Sequence, residues 1–331
     1  MKLVSAFALV YFGQLRAVAA LARKSGLLWL ATAALTVGCA LCASLRVTGG
    51  LAAEDQEVLE FVPSHDREAQ RPAHLARHGV EVAQGEWSIG FGFVRMPLGR
   101  DARDAVRLVL LLLVGGAADA PGLLLALLWT AGFVPQMLQE RHAVQLVSRP
   151  WGRAPWLVAL YLAVVTLYAC FLILFVGCTW LTAGMRTGIF WTGYWLPVPV
   201  GVLSFAAFYA FSALFGAGTR STAAASLATV VFWLICWGAS SGWYMLSSLE
   251  PGQLSSAART LCQVTYYLLP KPADQTLALF QALGSHTHLG VPAWMQAGVA
   301  SFSLGIYVST TLAFTSVCTC LAALLMRRME F

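Results

Sequence analysis

Six long apolar runs, separated by shorter polar segments, set the pattern of the chain: residues 26–46, 108–134, 156–182, 194–217, 221–246 and 296–326. Each is about 20 residues or longer, the length an α-helix needs to cross roughly 30 Å of hydrocarbon. The apolar positions are continuous rather than alternating, so the runs predict helices and not the strands of a membrane barrel. A helix pairs its backbone amides internally, which a bilayer without water demands. The predicted fold is an all-α polytopic membrane protein with six transmembrane helices.

The polar segments complete the outline. Residues 1–25 carry apolar bulk at Leu3, Phe7, Val10, Tyr11 and Leu15 and basic residues at Arg16, Arg23 and Lys24, the make-up of an amphipathic helix lying in the headgroup plane. The apolar run after Lys24 is long for a signal peptide and lacks a convincing small-residue cleavage site. A long loop follows at 47–107, and its part from Glu86 to Leu98 alternates Trp87, Ile89, Phe91 and Phe93 with smaller residues, which predicts a strand in a small cap. Residues 135–155 form a polar block between the second and third runs. The second long loop, 247–295, holds a segment from Tyr266 to Leu283 expected to lie on the outer membrane face. Residues 327–331 form a short tail.

Composition fits this outline: 59% of the 331 residues are hydrophobic and 11% charged, against about 25% charged in soluble domains. The positive charge then sets orientation. Lys2, Arg16, Arg23, Lys24, Arg141, Arg149, Arg153, Arg220, Arg327 and Arg328 fall on one side, opposed there only by Glu140 and Glu330. By the positive-inside rule that side is the cytoplasm and holds both termini. The net charge of +6 therefore reflects topology and gives no reason to expect nucleic acid as a partner. Seven of the eight cysteines fall in or at the edge of apolar runs, where they serve as small apolar filler, so no disulfide framework is expected. Cys39-x-x-Cys42 lacks the βαβ context of a redox motif.

Candidate chemistry is sparse. The chain has no phosphate-binding GxxxxGK[ST] loop; GAGTRST at Gly216–Thr222 lacks the lysine and a preceding strand. It has no HExxH, and the spacings of His65, His74, His78, His286 and His288 fit no zinc pattern with cysteines. GASSG at Gly238–Gly242 matches GxSxG but lies inside an apolar run, where Ser240 has no strand-to-helix turn to expose it. No catalytic, cofactor or metal residues are assigned. One carboxylate, Asp119, falls inside the second run, followed by Pro121 and Gly122. A charge there costs roughly 2.5–3.5 kcal/mol on insertion scales, and the proline and glycine predict a break, so these three are candidates for an intramembrane polar group or hinge.

The polar block carries the most specific signal. FVPQMLQERHAVQLVSRPWGRAPWLVALYL resembles the segment joining the second and third spans of type 2 ATP-binding cassette exporter permeases: an acidic residue, a short amphipathic helix, leucine-like residues, then Ser-Arg-Pro and a basic residue. The matching positions are Glu140, Val144, Leu146, Val147, Ser148, Arg149, Pro150 and Arg153. The Gly-Thr pair frequent in the family is replaced near His142 and Ala143. CTWLTAGMRTGIF (178–190) and YYLLPKPAD (266–274) resemble two further loops of the same family. The resemblance implies a permease subunit of the inner (cytoplasmic) membrane that performs no chemistry itself. It implies a coupling helix, with Gln139, Glu140, Arg141, Leu146, Ser148, Arg149, Pro150 and Arg153 as ATPase-coupling residues. The implied partners are an ATPase subunit that binds ATP and Mg, a second permease subunit in a homodimer or heterodimer, and membrane lipid. Two other readings stay open: a membrane-anchored scaffold or assembly factor recruiting a partner through its long outer loop, and an intramembrane enzyme built around Asp119 or Ser240.

Overall fold

The computed structural model describes residues 2–48, 86–91, 94–97, 102–138, 153–247, 256–283 and 302–328. Helices dominate them: α1 (Lys2–Lys24), α2 (Leu27–Ala43), α3 (Ala102–Ala118), α4 (Ala120–Thr130), α5 (Phe133–Met137), α6 (Arg153–Thr187), α7 (Pro197–Thr219), α8 (Thr222–Ser247), α9 (Ser256–Leu268), α10 (Pro272–Leu283) and α11 (Leu304–Arg328). Among the described residues, five helical stretches are long and apolar enough to cross a membrane: Val106–Met137, Arg153–Thr187, Thr192–Thr219, Thr222–Leu246 and Leu304–Arg328. The α1–α2 pair adds a sixth if it counts as one span, although it bends by 74°. Several apolar helices of this kind make a multi-pass membrane protein.

The bend between α1 and α2 has a local cause. Gly26 sits at φ 78°, a left-handed conformation that side chains with a Cβ rarely adopt. α1 then packs one face on the bundle: Val10, Gln14, Val18 and Ala22, each four residues apart, are buried, while Leu9 and Phe12 are exposed. The Tyr11 hydroxyl lies 2.7 Å from Thr166 Oγ1, well inside α6. α2 runs against α6 as well, at Gly38, where an added Cβ would come within 2.9 Å of the Phe175 ring and 3.2 Å of Thr179.

Strands are few. β1 (Arg46–Thr48), β2 (Glu86–Ile89) and β3 (Val94–Pro97) form an antiparallel sheet in that order. The single strand expected over 86–98 is thus a hairpin. Gly90 and Phe91 both take positive φ, 68° and 57°, and turn the chain back. The Gly90 amide donates to Ser44 Oγ at 2.9 Å, tying the hairpin to the end of α2.

The centre of the bundle is packed by α6, α7 and α11. Tyr161, Tyr209, Phe205 and Tyr168 form an aromatic column between α6 and α7, with successive centroids 5.9, 5.6 and 4.1 Å apart and nearly parallel rings. Large apolar side chains point outward from the long helices, among them Leu162, Leu174, Leu227, Leu234, Leu312 and Leu324. That surface suits a lipid solvent, since tails are as apolar as leucine. The helices follow the apolar runs with ends shifted by a few residues: 156–182 widens to Arg153–Thr187 and 194–217 becomes Pro197–Thr219 after a 3-10 turn at Thr192–Trp195. The last run differs more, since its helix starts at Leu304, and residues 296–301 lie outside the described ones.

Candidate functional site at the broken helix

The second long helix breaks where the sequence has Asp-Ala-Pro-Gly. α3 ends at Ala118, Asp119 is extended at φ −95° and ψ −160°, and α4 begins with Pro121 in its first turn. A proline is tolerated there because its missing N–H has no partner in the first turn. The folded-back carbonyls leave no room beyond: a Cβ on Gly122 would lie 2.1 Å from the Ala117 carbonyl oxygen and 2.7 Å from that of Gly116. α7 also comes close, because Gly201 has Ala118 Cβ 3.4 Å from its own would-be Cβ.

The start of α10 closes over this break. Thr276 Oγ1 donates to the Asp119 carboxylate, 3.0 Å from Oδ1 and 2.8 Å from Oδ2. Its neighbour Gln275 donates its side-chain amide to the Ala118 carbonyl, one of the groups the break leaves without a helical partner. Gln275 is fully buried, and its Oε1 has no hydrogen-bond partner. Tyr168 on α6 is likewise buried with an unpartnered hydroxyl.

Beside the break lies a second polar cluster, at the turn between α9 and α10. Asp274 accepts from the Tyr244 hydroxyl at 2.7 Å and the Tyr266 hydroxyl at 2.8 Å, and the two hydroxyls lie 3.1 Å apart. The Lys271 ammonium is buried with no hydrogen-bond partner and sits over the rings of Tyr266 and Tyr267, 4.0 and 5.1 Å from their centroids. A cation on an aromatic face is held by the ring quadrupole. Burial pushes the Asp274 carboxyl above its ordinary value, against the two tyrosine hydroxyls and Lys271, which pull it down. Burial also lowers the Lys271 ammonium, opposed by Asp274. The segment expected on the outer membrane face therefore has its first turn inside the bundle, with Lys271, Ala273, Asp274 and Gln275 buried.

Ser240 of the GASSG match belongs to this neighbourhood but is built as a helix residue. Its hydroxyl donates to the Cys236 carbonyl at 2.8 Å and accepts the Ala273 amide at 3.4 Å, in mid-α8 and without a sharp turn. Cys39 and Cys42 are free thiols in α2. Among the described residues, no group of three or more His, Cys, Asp or Glu is arranged to hold a metal.

At the other end of the second long helix, α5 leads toward the polar block. Of its candidate residues, Gln139, Glu140, Arg141, Leu146, Ser148, Arg149 and Pro150 lie outside the described residues, and Arg153 begins α6, half-buried. The approach to the block is tightly held. The Trp129 indole donates to the Ser25 carbonyl at 2.9 Å, and Pro135 packs so closely on Gly216 that a Cβ there would lie 3.1 Å from its ring. At 1.5 Å per residue, Asp119 and Met137 are roughly 27 Å apart along the helix. Asp119, Pro121 and Gly122 thus lie together at the break, well separated from Met137.

Lys271, Asp274, Gln275 and Thr276 escaped the sequence reading as site residues. A signal for them exists: the run KPADQT is flanked by YYLLP and LALF, so charged residues sit in an apolar frame. No protein-family model matches the chain, and no curated protein matches it.

Proposed function

We propose that this chain is the membrane-spanning permease subunit of a type 2 ATP-binding cassette exporter. In this reading six spans cross the inner membrane, both termini are cytoplasmic, α1 lies in the headgroup plane and the loop at 47–107 is extracytoplasmic. A second permease subunit, identical or different, completes the path. Two ATPase subunits bind ATP and Mg and act on the segment at 135–155 as a coupling helix.

The observation that carries the reading is how the chain enters and leaves that segment. It joins α5 to α6, and α4 and α5 are held to their neighbours: Pro135 on Gly216 of α7, Gly132 against Gln136 and Thr222 of α8, and Trp129 of α4 bonded to the α1–α2 turn. Packed helices move as rigid bodies with discrete arrangements. A push on 135–155 is therefore passed to the α1–α2 pair, α6, α7 and α8 together. The Ser-Arg-Pro resemblance names the kind of partner that would push, and the absence of a phosphate loop in the sequence leaves ATP to that partner.

The test is co-purification. Expressed alone, the chain is expected to hydrolyse no ATP. Expressed with the ATPase of an adjacent reading frame, it is expected to yield a complex whose ATPase responds to the permease. A chain that hydrolyses ATP alone, or a neighbouring ATPase that neither binds it nor responds to it, contradicts the proposal.

A further inference from the structure

Among the described residues, the break at Asp119 gathers acidic and carbonyl oxygens with no cationic side chain paired to them. Asp119 lies within the Val106–Met137 stretch, and among the described residues no lysine, arginine or histidine forms an ion pair with it. The titratable groups that face it from packed elements are Tyr168 on α6 and Tyr307 on α11. Those at the entry to α10 are turned elsewhere: Asp274 to Tyr244 and Tyr266, and Lys271, just before the helix, to the rings of Tyr266 and Tyr267. Tyr307 shares its hydroxyl with Ser204.

Three further features converge on the same spot. The Gln275 amide is fixed by its bond to the Ala118 carbonyl, so its Oε1, fully buried and without a partner, is held at the break. Thr276 Oγ1 stands against both Asp119 oxygens. The last carbonyls of α3 turn their negative dipole end to this spot, where the N-terminal ends of α4 and α10 also lie. A half-buried carboxylate with no cationic partner and a fully buried unpaired amide oxygen are each unfavourable alone, and one positive charge between them relieves both.

We propose that the break is a binding site for one monovalent cation, held by the Asp119 carboxylate, Gln275 Oε1 and Thr276 Oγ1. A single carboxylate supplies one negative charge, which suits a singly charged ion better than a divalent one that draws several acidic ligands. Interrupted helices in membrane bundles offer this combination of freed carbonyls and a side-chain oxygen. The positive charge has two sources of the same kind: a sodium ion, or a proton on the carboxylate shared with Gln275 Oε1. The site is independent of any ATPase, so the proposal stands or falls apart from the permease reading.

The experiment is thermal unfolding of the purified full chain in detergent, with sodium chloride replaced stepwise by choline chloride at constant ionic strength, repeated across neutral pH. It is run in the Asp274→Asn chain so that the second carboxylate adds no slope. With sodium as occupant, the midpoint rises by about 2 °C when the ion stands tenfold above its Kd, and Asp119→Asn and Gln275→Leu each abolish the rise. With a proton as occupant, sodium has no effect, the midpoint rises as pH falls, and Asp119→Asn removes that slope. A midpoint indifferent to both, or a response that survives Asp119→Asn, overturns the proposal. If Asp119→Asn does not fold, the parent chain's response and Gln275→Leu decide the matter in the same terms.

Discussion

Gly122 is fixed by the carbonyl oxygens folded over it. Because any Cβ would stand 2.1 Å from the Ala117 oxygen, replacement must move backbone and not merely a flexible side chain. Gly122→Ala is expected to destabilise the folded chain by about 2 kcal/mol or more, read as a lowered unfolding midpoint in detergent; an unchanged midpoint would mean the break is not held as described. This residue was legible in the sequence, since Pro121 and Gly122 after an intramembrane acid announce a break by their backbone chemistry. Its partners were not. Thr276 lies 157 residues from Asp119 along the chain, and no periodicity or motif ties two such positions together. Their meeting is a tertiary fact, set by how α10 enters the bundle.

At the scale of elements, the α9–α10 turn is the least expected feature. A lysine between two prolines with an aspartate two residues further on reads as a surface segment, because charged groups are seldom buried. Here tyrosine hydroxyls satisfy Asp274 and aromatic faces hold Lys271, so the turn can sit among helices. Burial raises the Asp274 carboxyl above its ordinary range, so the folded state binds that proton more tightly than the unfolded one. The corresponding stability is present below the unfolded value and lost as pH rises through the raised one. Unfolding midpoints of the parent chain, relative to Asp274→Asn, are therefore expected to fall as pH rises from about 4; a difference that grows with pH would contradict the burial account. The long helices were far more legible. Continuous apolarity over the length of a bilayer leaves few alternatives, and the shifts at their ends come from capping details such as the 3-10 turn before Pro197. The hairpin at Glu86–Pro97 was half legible: the alternation marked strand, while the positive φ at Gly90 and Phe91 that splits it is a conformational choice.

On the scale of the whole molecule, two regions of unlike character share the second long helix. Its middle is a break closed by α10, and its far end is a locked approach to a polar block. About 27 Å of helix, α4 and α5, separates the break from Met137. This arrangement gives the proposed permease a physical route from an ATPase to the bundle interior. The polar character of the block was legible in sequence as an interruption between apolar runs; the grip of Pro135 on Gly216 and of Trp129 on Ser25 was not, because each contact depends on helices far apart in the chain. The most direct test replaces Glu140, Arg149 and Arg153 together by alanine in the complex with the ATPase, reconstituted in liposomes. The account predicts that the permease's effect on ATP turnover falls at least about tenfold, in the range of ordinary coupling energies, while the unfolding midpoint of the permease stays the same. Full coupling retained by the triple variant would contradict it.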